Sequence, residues 1–220
     1  MTTRLFGTTR TVFSKMLQFP AAERNKVPIV EVLQQVLSKE TEGLALEVAS
    51  GSGAHVAHIA QQIPRLAWQP SEIEDRNLKS ISAFIQHAEL SNVNEPVLLD
   101  VTTDPGAWAG GLGEGSLTVI LNANMIHISP WDTAVGLFAG ANYLLKPGGY
   151  MFLYGPFAIH GSLTPDSNVK FDQYLKSQDC RWGVRDIDDV EKLAKTNRLR
   201  MQQMVDMPAN NKMLIFLKEG

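Results

Sequence analysis

The stretch that most limits what this chain can fold into is residues 44–53, Leu-Ala-Leu-Glu-Val-Ala-Ser-Gly-Ser-Gly. An apolar run reaches an acid, Glu47, and passes through a Ser/Gly turn into a segment with helical spacing, the signature of a strand-turn-helix that binds a ligand. Gly51 and Gly53 lack a β-carbon, so the backbone can turn sharply and a ligand can approach the N–H groups at the helix start. A dinucleotide fingerprint beginning at Gly51 needs a third glycine at position 56, and Val56 stands there. The pyrophosphate reading is weakened accordingly, although glycine pairs also serve purely structural turns.

Four further segments follow in order. Glu72 lies 19 residues beyond Gly53 after an apolar patch over residues 63–68, the distance at which an acid ending strand two grips a ribose; it is equally placed as a helix-capping acid. The run Pro96-Val97-Leu98-Leu99-Asp100-Val101 reads as a buried strand ending in an acid, with a loop-capping aspartate as the alternative. Residues 116–127 read as a parallel-type strand running into Asn122, Asn124, Met125 and His127, and residues 144–153 as a helix end, a Lys-Pro-Gly-Gly turn and a fifth strand.

In this order and spacing the five segments resemble the motifs of class I S-adenosylmethionine-dependent methyltransferases. Ala49 stands where most members carry glycine. The resemblance implies an α/β fold, doubly wound and Rossmann-like, with a seven-stranded sheet and an antiparallel C-terminal strand. It also implies S-adenosyl-L-methionine as cofactor, with Glu47, Ala49, Ser50, Gly51 and Gly53 around the methionine end, Glu72 on the ribose, Asp100 and Val101 at the adenine, and Asn122 and Met125 completing the site. Four stretches, residues 20–26, 68–72, 124–131 and 182–186, narrow the likeness to the methyltransferase-like family of unassigned substrate found in bacteria and animals, over about residues 19–216.

Alternation of strand and helix, without repeats or low-complexity runs, independently argues for a parallel doubly wound sheet. Helices are expected at residues 28–38, 53–62, 75–89, 131–145 and 186–195. Two terminal runs, residues 201–207 and 213–218, are close enough for a hairpin. The 220 residues suit a single domain, with residues 1–40 as an N-terminal helical or lid segment and 44–220 as the core. Residues 155–172 read as a long loop of the kind that shapes substrate pockets.

Composition removes several classes of function. With a net charge of −3 the chain has no strong pull toward nucleic-acid phosphates. No apolar run reaches membrane-spanning length and no signal-like core is present, so a cytoplasmic location is expected. One cysteine, Cys180, excludes an intramolecular disulfide. His55 and His58 share a helical face, but without a third ligand no metal site is expected.

Chemistry at a sulfonium methyl group asks mainly for an acceptor held in line, and a base is optional. His127, just past strand four, is the first candidate base, and His160 the second; a histidine bonding a loop is the structural alternative for His127. Acceptor contacts are expected from Arg24, Asn25, Asn124, Tyr154 and Phe157. The absence of an Asn/Asp-Pro-Pro-aromatic sequence and of a Pro-Cys or Thr-Cys nucleophile disfavours base methylation of nucleic acids, which leaves a small-molecule acceptor. Two other readings remain open: a protein that binds S-adenosylmethionine or S-adenosylhomocysteine without turnover, and an NAD-dependent oxidoreductase.

Overall fold

The computed structural model describes residues 15–220, so most of the N-terminal lid segment's first half, residues 1–14, lies outside the described residues. Two compact units divide the chain after Leu99.

In the first unit, helix α1 (Pro20–Val36) precedes strand β1 (Gly43–Val48), helix α2 (Ala54–Gln62), strand β2 (Leu66–Glu72), helix α3 (Asp75–His87) and the short strand β3 (Val97–Leu98). The strands run parallel in the order β3-β2-β1. β1 and β2 are buried over most of their lengths, as expected of parallel strands covered on both faces. α1 starts eight residues earlier than its apolar spacing indicates. Pro20, not Pro28, takes the first-turn position, where a missing N–H costs nothing. Pro28 is carried inside the helix, whose inward face holds Ala22, Asn25, Ile29, Val32 and Leu33.

The second unit contains β4 (Leu117–Ala123), α4 (Trp131–Leu144), β5 (Leu145–Gly155), β6 (Phe157–Ala158), α5 (Asp166–Gln178), β7 (Arg185–Asp186), α6 (Ile187–Thr196), β8 (Leu199–Met207) and β9 (Asn211–Lys218). β4 and β5 are parallel; β9 pairs antiparallel with both β5 and β8, giving the order β4-β5-β9-β8. β9 is thus the inserted antiparallel strand. Its Met213, Leu214, Ile215 and Phe216 are all buried, while β8 at the edge is exposed over much of its length, at Arg200, Gln202, Gln203, Met204 and Asp206. Positive φ at Ala209 and Asn210 turns the hairpin.

The fold is therefore α/β, doubly wound and Rossmann-like, with seven strands in the main sheet and an antiparallel C-terminal strand. The segment expected as a loop over residues 155–172 differs: most of its second half is α5. Asn168, Asp172 and Leu175 face inward there, and two polar residues in that stripe hide the apolar period from the sequence. Asn168 donates to Thr164 O and Asn210 O, and Asp172 Oδ1 accepts the Val184 N–H at 2.9 Å. Both side chains tie down backbone. Among the described residues no helix is long and apolar enough to cross a membrane.

Candidate functional site

In the first unit the turn after β1 gathers six of the expected site residues. Ser50 N–H donates to Ser71 O at 2.8 Å, Ser50 Oγ donates to Glu47 O at 3.2 Å, and Ser71 Oγ donates to the same carbonyl at 2.9 Å. The ends of β1 and β2 are thereby locked together. Ala49 sits at φ +56°, a left-handed conformation that costs a non-glycine residue roughly 1–2 kcal/mol. Gly53, at φ +97°, has no such freedom of substitution: a β-carbon there would lie 2.8 Å from Ile81 Cα.

Glu72 turns its carboxylate back onto this turn. Oε2 accepts the Gly51 N–H at 3.0 Å and Oε1 accepts the Ile73 N–H at 2.7 Å. Each oxygen keeps a second acceptor position, so the pair can take two hydroxyl hydrogens from adjacent carbons. Ile73 itself is an exposed large apolar residue beside that carboxylate. Sequence reasoning missed it, because a single isoleucine after a strand gives no periodic signal.

Glu47 is almost fully buried and its Oε2 has no hydrogen-bond partner among the described residues. Burial pushes its carboxyl up to about 8; the Ser50 hydroxyl opposes the shift, the charge of Glu72 adds to it, and the Val56 N–H opposes it. Asn25, expected at an acceptor, is instead buried against His55, with Oδ1 2.6 Å from Nε2. Arg24, its neighbour on α1, points to solvent. Phe19, just before α1, brings its ring near the turn, 3.5 Å from where a β-carbon on Gly51 would stand.

In the second unit Asp100 is exposed just past β3. Its Oδ1 accepts both the N–H of Thr102 at 2.9 Å and the Thr102 hydroxyl at 2.7 Å, and these bonds hold its carboxyl below the usual range. Val101 and Asn122 are buried, and Met125 is half-buried in the single 3-10 turn, Met125–His127, that follows β4. Asn124 enters that turn at φ +66° and donates its N–H to Tyr154 O at 2.9 Å.

His127 is completely buried. Its Nδ1 accepts the Arg185 N–H at 3.3 Å, so the ring proton sits on Nε2, which has no partner among the described residues. Desolvation, reinforced by the Arg185 guanidinium, pushes the ring down to about 3. The ring meets Phe157 edge-on at 4.9 Å and rests on Gly155, where a β-carbon would stand 2.4 Å from Nε2. Asn124, Tyr154, His127 and Phe157 are thus brought together in one small assembly. His160 is not among them: it lies on an exposed turn at φ +50° with Nδ1 2.8 Å from Asp188 Oδ1.

Arg185 organises this assembly, and the sequence did not nominate it. Its Nε donates to Ile126 O at 2.8 Å and its Nη2 to Ser129 O at 2.7 Å and Arg181 O at 2.9 Å, while the guanidinium lies over the Trp131 ring at 5.6 Å. Some 56–59 residues separate Arg185 from its partners in the 126–129 turn. No local pattern carries such a contact.

Comparison with solved structures places this fold beside three proteins. An O-methyltransferase family protein from Burkholderia thailandensis is 16% identical with a TM-score of 0.75, the match covering 90% of this chain and 57% of that one. The O-methyltransferase family 2 protein from Planctomyces limnophilus, solved with apigenin, is 16% identical at a TM-score of 0.70, covering 90% and 61%. YcgJ from Bacillus subtilis is 12% identical at 0.68, covering 90% and 99%. The chain spans a little over half the length of the first two. These likenesses establish a shared fold. A family model matches residues 16–218, nearly the whole chain, and the protein belongs to the family it describes, protein of unknown function DUF938.

Proposed function

We propose that this protein is an S-adenosylmethionine-dependent methyltransferase acting on a small-molecule acceptor. The observation that carries the reading is Glu72, whose two carboxylate oxygens each hold one backbone N–H of the turn and keep an open acceptor position for a vicinal diol. Beside it the buried Oε2 of Glu47, which has no hydrogen-bond partner among the described residues, fits an ammonium group. A ribose and an amino-acid end on one ligand match those two features better than a pyrophosphate does, since Val56 replaces the third glycine of a dinucleotide turn.

In this reading Glu47, Ala49, Ser50, Gly51 and Gly53 hold the methionine end and Glu72 the ribose. Asp100, Val101, Asn122 and Met125 stand in the proposal by their place in the sequence motifs. The cofactor supplies an activated methyl group on sulfonium. The protein's part is then to bind, orient and exclude water. Asn124, Tyr154 and Phe157 are proposed to shape the acceptor pocket, and Arg24 to meet an acidic acceptor. His127 is proposed to act through its fixed, neutral ring, because Nδ1 is engaged and Nε2 carries the proton. His160 stays a candidate only as an exposed proton carrier paired with Asp188. A single domain over residues 1–220 and a cytoplasmic location belong to the same proposal. The fold likeness to two O-methyltransferase family proteins supports it.

Calorimetry with S-adenosylhomocysteine and, separately, NAD tests the reading. Micromolar or tighter binding of the first with none of the second is expected; the reverse would replace the proposal by an oxidoreductase. Transfer of labelled methyl to a fraction of a metabolite extract is expected in addition, and binding without any transfer would leave a non-catalytic binder.

A further inference from the structure

Asn25, His55 and Glu47 come from three elements, α1, α2 and β1, and all three are buried. Asn25 Oδ1 lies 2.6 Å from His55 Nε2, and the other ring nitrogen, Nδ1, lies 3.6 Å from Glu47 Oε1. An amide oxygen only accepts, so Nε2 carries the ring proton and Nδ1 turns a lone pair toward the carboxyl. A lone pair repels a carboxylate and accommodates a carboxylic acid.

Among the described residues the surrounding charges are few. On α1 stand Glu23 and Lys26, paired at 2.6 Å; on α2 His58; on β2 Glu72. Burial holds the His55 ring down at about 4, with Glu23 raising it and Lys26 and His58 lowering it, while burial and Glu72 hold Glu47 up at about 8. At neutral pH the 3.6 Å approach therefore joins two neutral groups and is no ion pair. On its other side Glu47 Oε2 is buried and unpartnered among the described residues.

We propose that Asn25 and His55 are positioning residues for Glu47: they set a lone pair against Oε1 that, with burial, favours the neutral acid in the free protein, and a cationic ligand group arriving at Oε2 displaces its proton to solvent. One O–H bond of Glu47 breaks, the proton passes to buffer, and an ammonium–carboxylate pair takes its place. The inference rests on the reading of the β1 turn as a cofactor site, where the cation is the amino group of the methionine end. It adds a use for two residues of which one was nominated for the acceptor and the other only weighed as a metal ligand.

The test is calorimetry of S-adenosylhomocysteine binding in two buffers of different ionisation enthalpy. The wild-type protein is expected to release close to one proton at pH 7, with Kd tightening about tenfold per pH unit from pH 6 to 7 and less steeply toward pH 8, the linkage of a single proton. Asn25→Asp places a carboxylate on Nε2–H, so the ring takes a second proton and Glu47 ionises before the ligand arrives. Proton release in that variant is expected to fall near zero and the pH dependence of Kd to flatten.

A wild-type proton count near the variant's, or a variant with the wild-type slope, would overturn the inference while leaving the cofactor site standing. Absence of binding at every pH would overturn both. Nitrogen-15 NMR of histidine-labelled wild-type protein reads the ring without ligand or variant: Nε2–H at pH 7 is expected for His55, and a proton on Nδ1 would refute the arrangement.

Discussion

Replacing Glu47 by glutamine should make the protein more stable at neutral pH, and the size of the effect follows from where the carboxyl is held. Its ordinary value is 4.5 and burial raises it to about 8 in the folded chain. The folded state therefore keeps a proton that the unfolded state has lost, and the group's contribution, complete below about pH 4.5, declines as pH rises toward 8. At about 1.4 kcal/mol per pH unit, the 2.5 units from 4.5 to 7 cost roughly 3 kcal/mol.

The buried histidines act with the opposite sign. His55 and His127 fall from 6.5 to about 4 and about 3, so their contributions are complete above 6.5 and lost as pH falls. At pH 5 each has given up about 2 kcal/mol. Together the three groups put a stability maximum near pH 6.5. Above it the histidine contributions still rise while that of Glu47 falls, so the wild type should lose roughly 1 kcal/mol in all between pH 6.5 and 8. Glu47→Gln, whose amide stays neutral, should remove that slope and gain up to about 3 kcal/mol at pH 7, while weakening S-adenosylhomocysteine binding. Urea unfolding at half-unit steps from pH 5 to 8.5 measures both limbs. A flat wild-type limb above pH 6.5, or the same slope in the variant, would refute the placement of a neutral acid at this site.

The other expectations are simpler. Glu72→Ala removes two acceptors from the proposed ribose site and should weaken S-adenosylhomocysteine binding by roughly 1.5–3 kcal/mol by calorimetry; unchanged affinity would remove Glu72 from the ligand. Ala49→Gly relieves a left-handed alanine and should raise unfolding free energy by about 1 kcal/mol, with a loss counting against the strained turn. Gly155→Ala drives a methyl into the His127 ring and should cost about 1–3 kcal/mol. Truncating that ring in the same chain, Gly155→Ala with His127→Ala, should recover part of the loss relative to His127→Ala alone. Strict additivity would show that the two do not touch.

The sequence announced those features whose cause is local. A buried parallel strand is apolar along its length, so β1, β2, β4 and β5 declare themselves, and an acid followed by Ser-Gly-Ser-Gly marks the turn that gathers Glu47, Ser50, Gly51 and Gly53 next to Glu72. The terminal hairpin was visible for the same reason, because β9 is apolar on both faces and Pro208–Asn210 cannot continue it. Where apolar spacing was diluted the reading failed: α5 puts Asn168 and Asp172 on its inward face, and α1 extends through Pro28 to an earlier start.

Side-chain roles were less legible than elements, because a partner tens of residues away decides them. Asn25 and Arg24 are neighbours on one helix and look alike as acceptor contacts; the step of about 100° between consecutive helical positions sends Arg24 to solvent and Asn25 into the interior against His55, thirty residues on. His127 carries the residue type of a base and stands after β4 as a base should. Arg185 fixes the ring there, by donating its backbone N–H to Nδ1 and clamping the carbonyls of Ile126 and Ser129. A methyl donor that needs no activation tolerates such a ring. The proposed transfer needs an acceptor pocket that keeps its shape, and in that reading an arginine with three carbonyl partners and a ring fixed on a glycine would supply the rigidity.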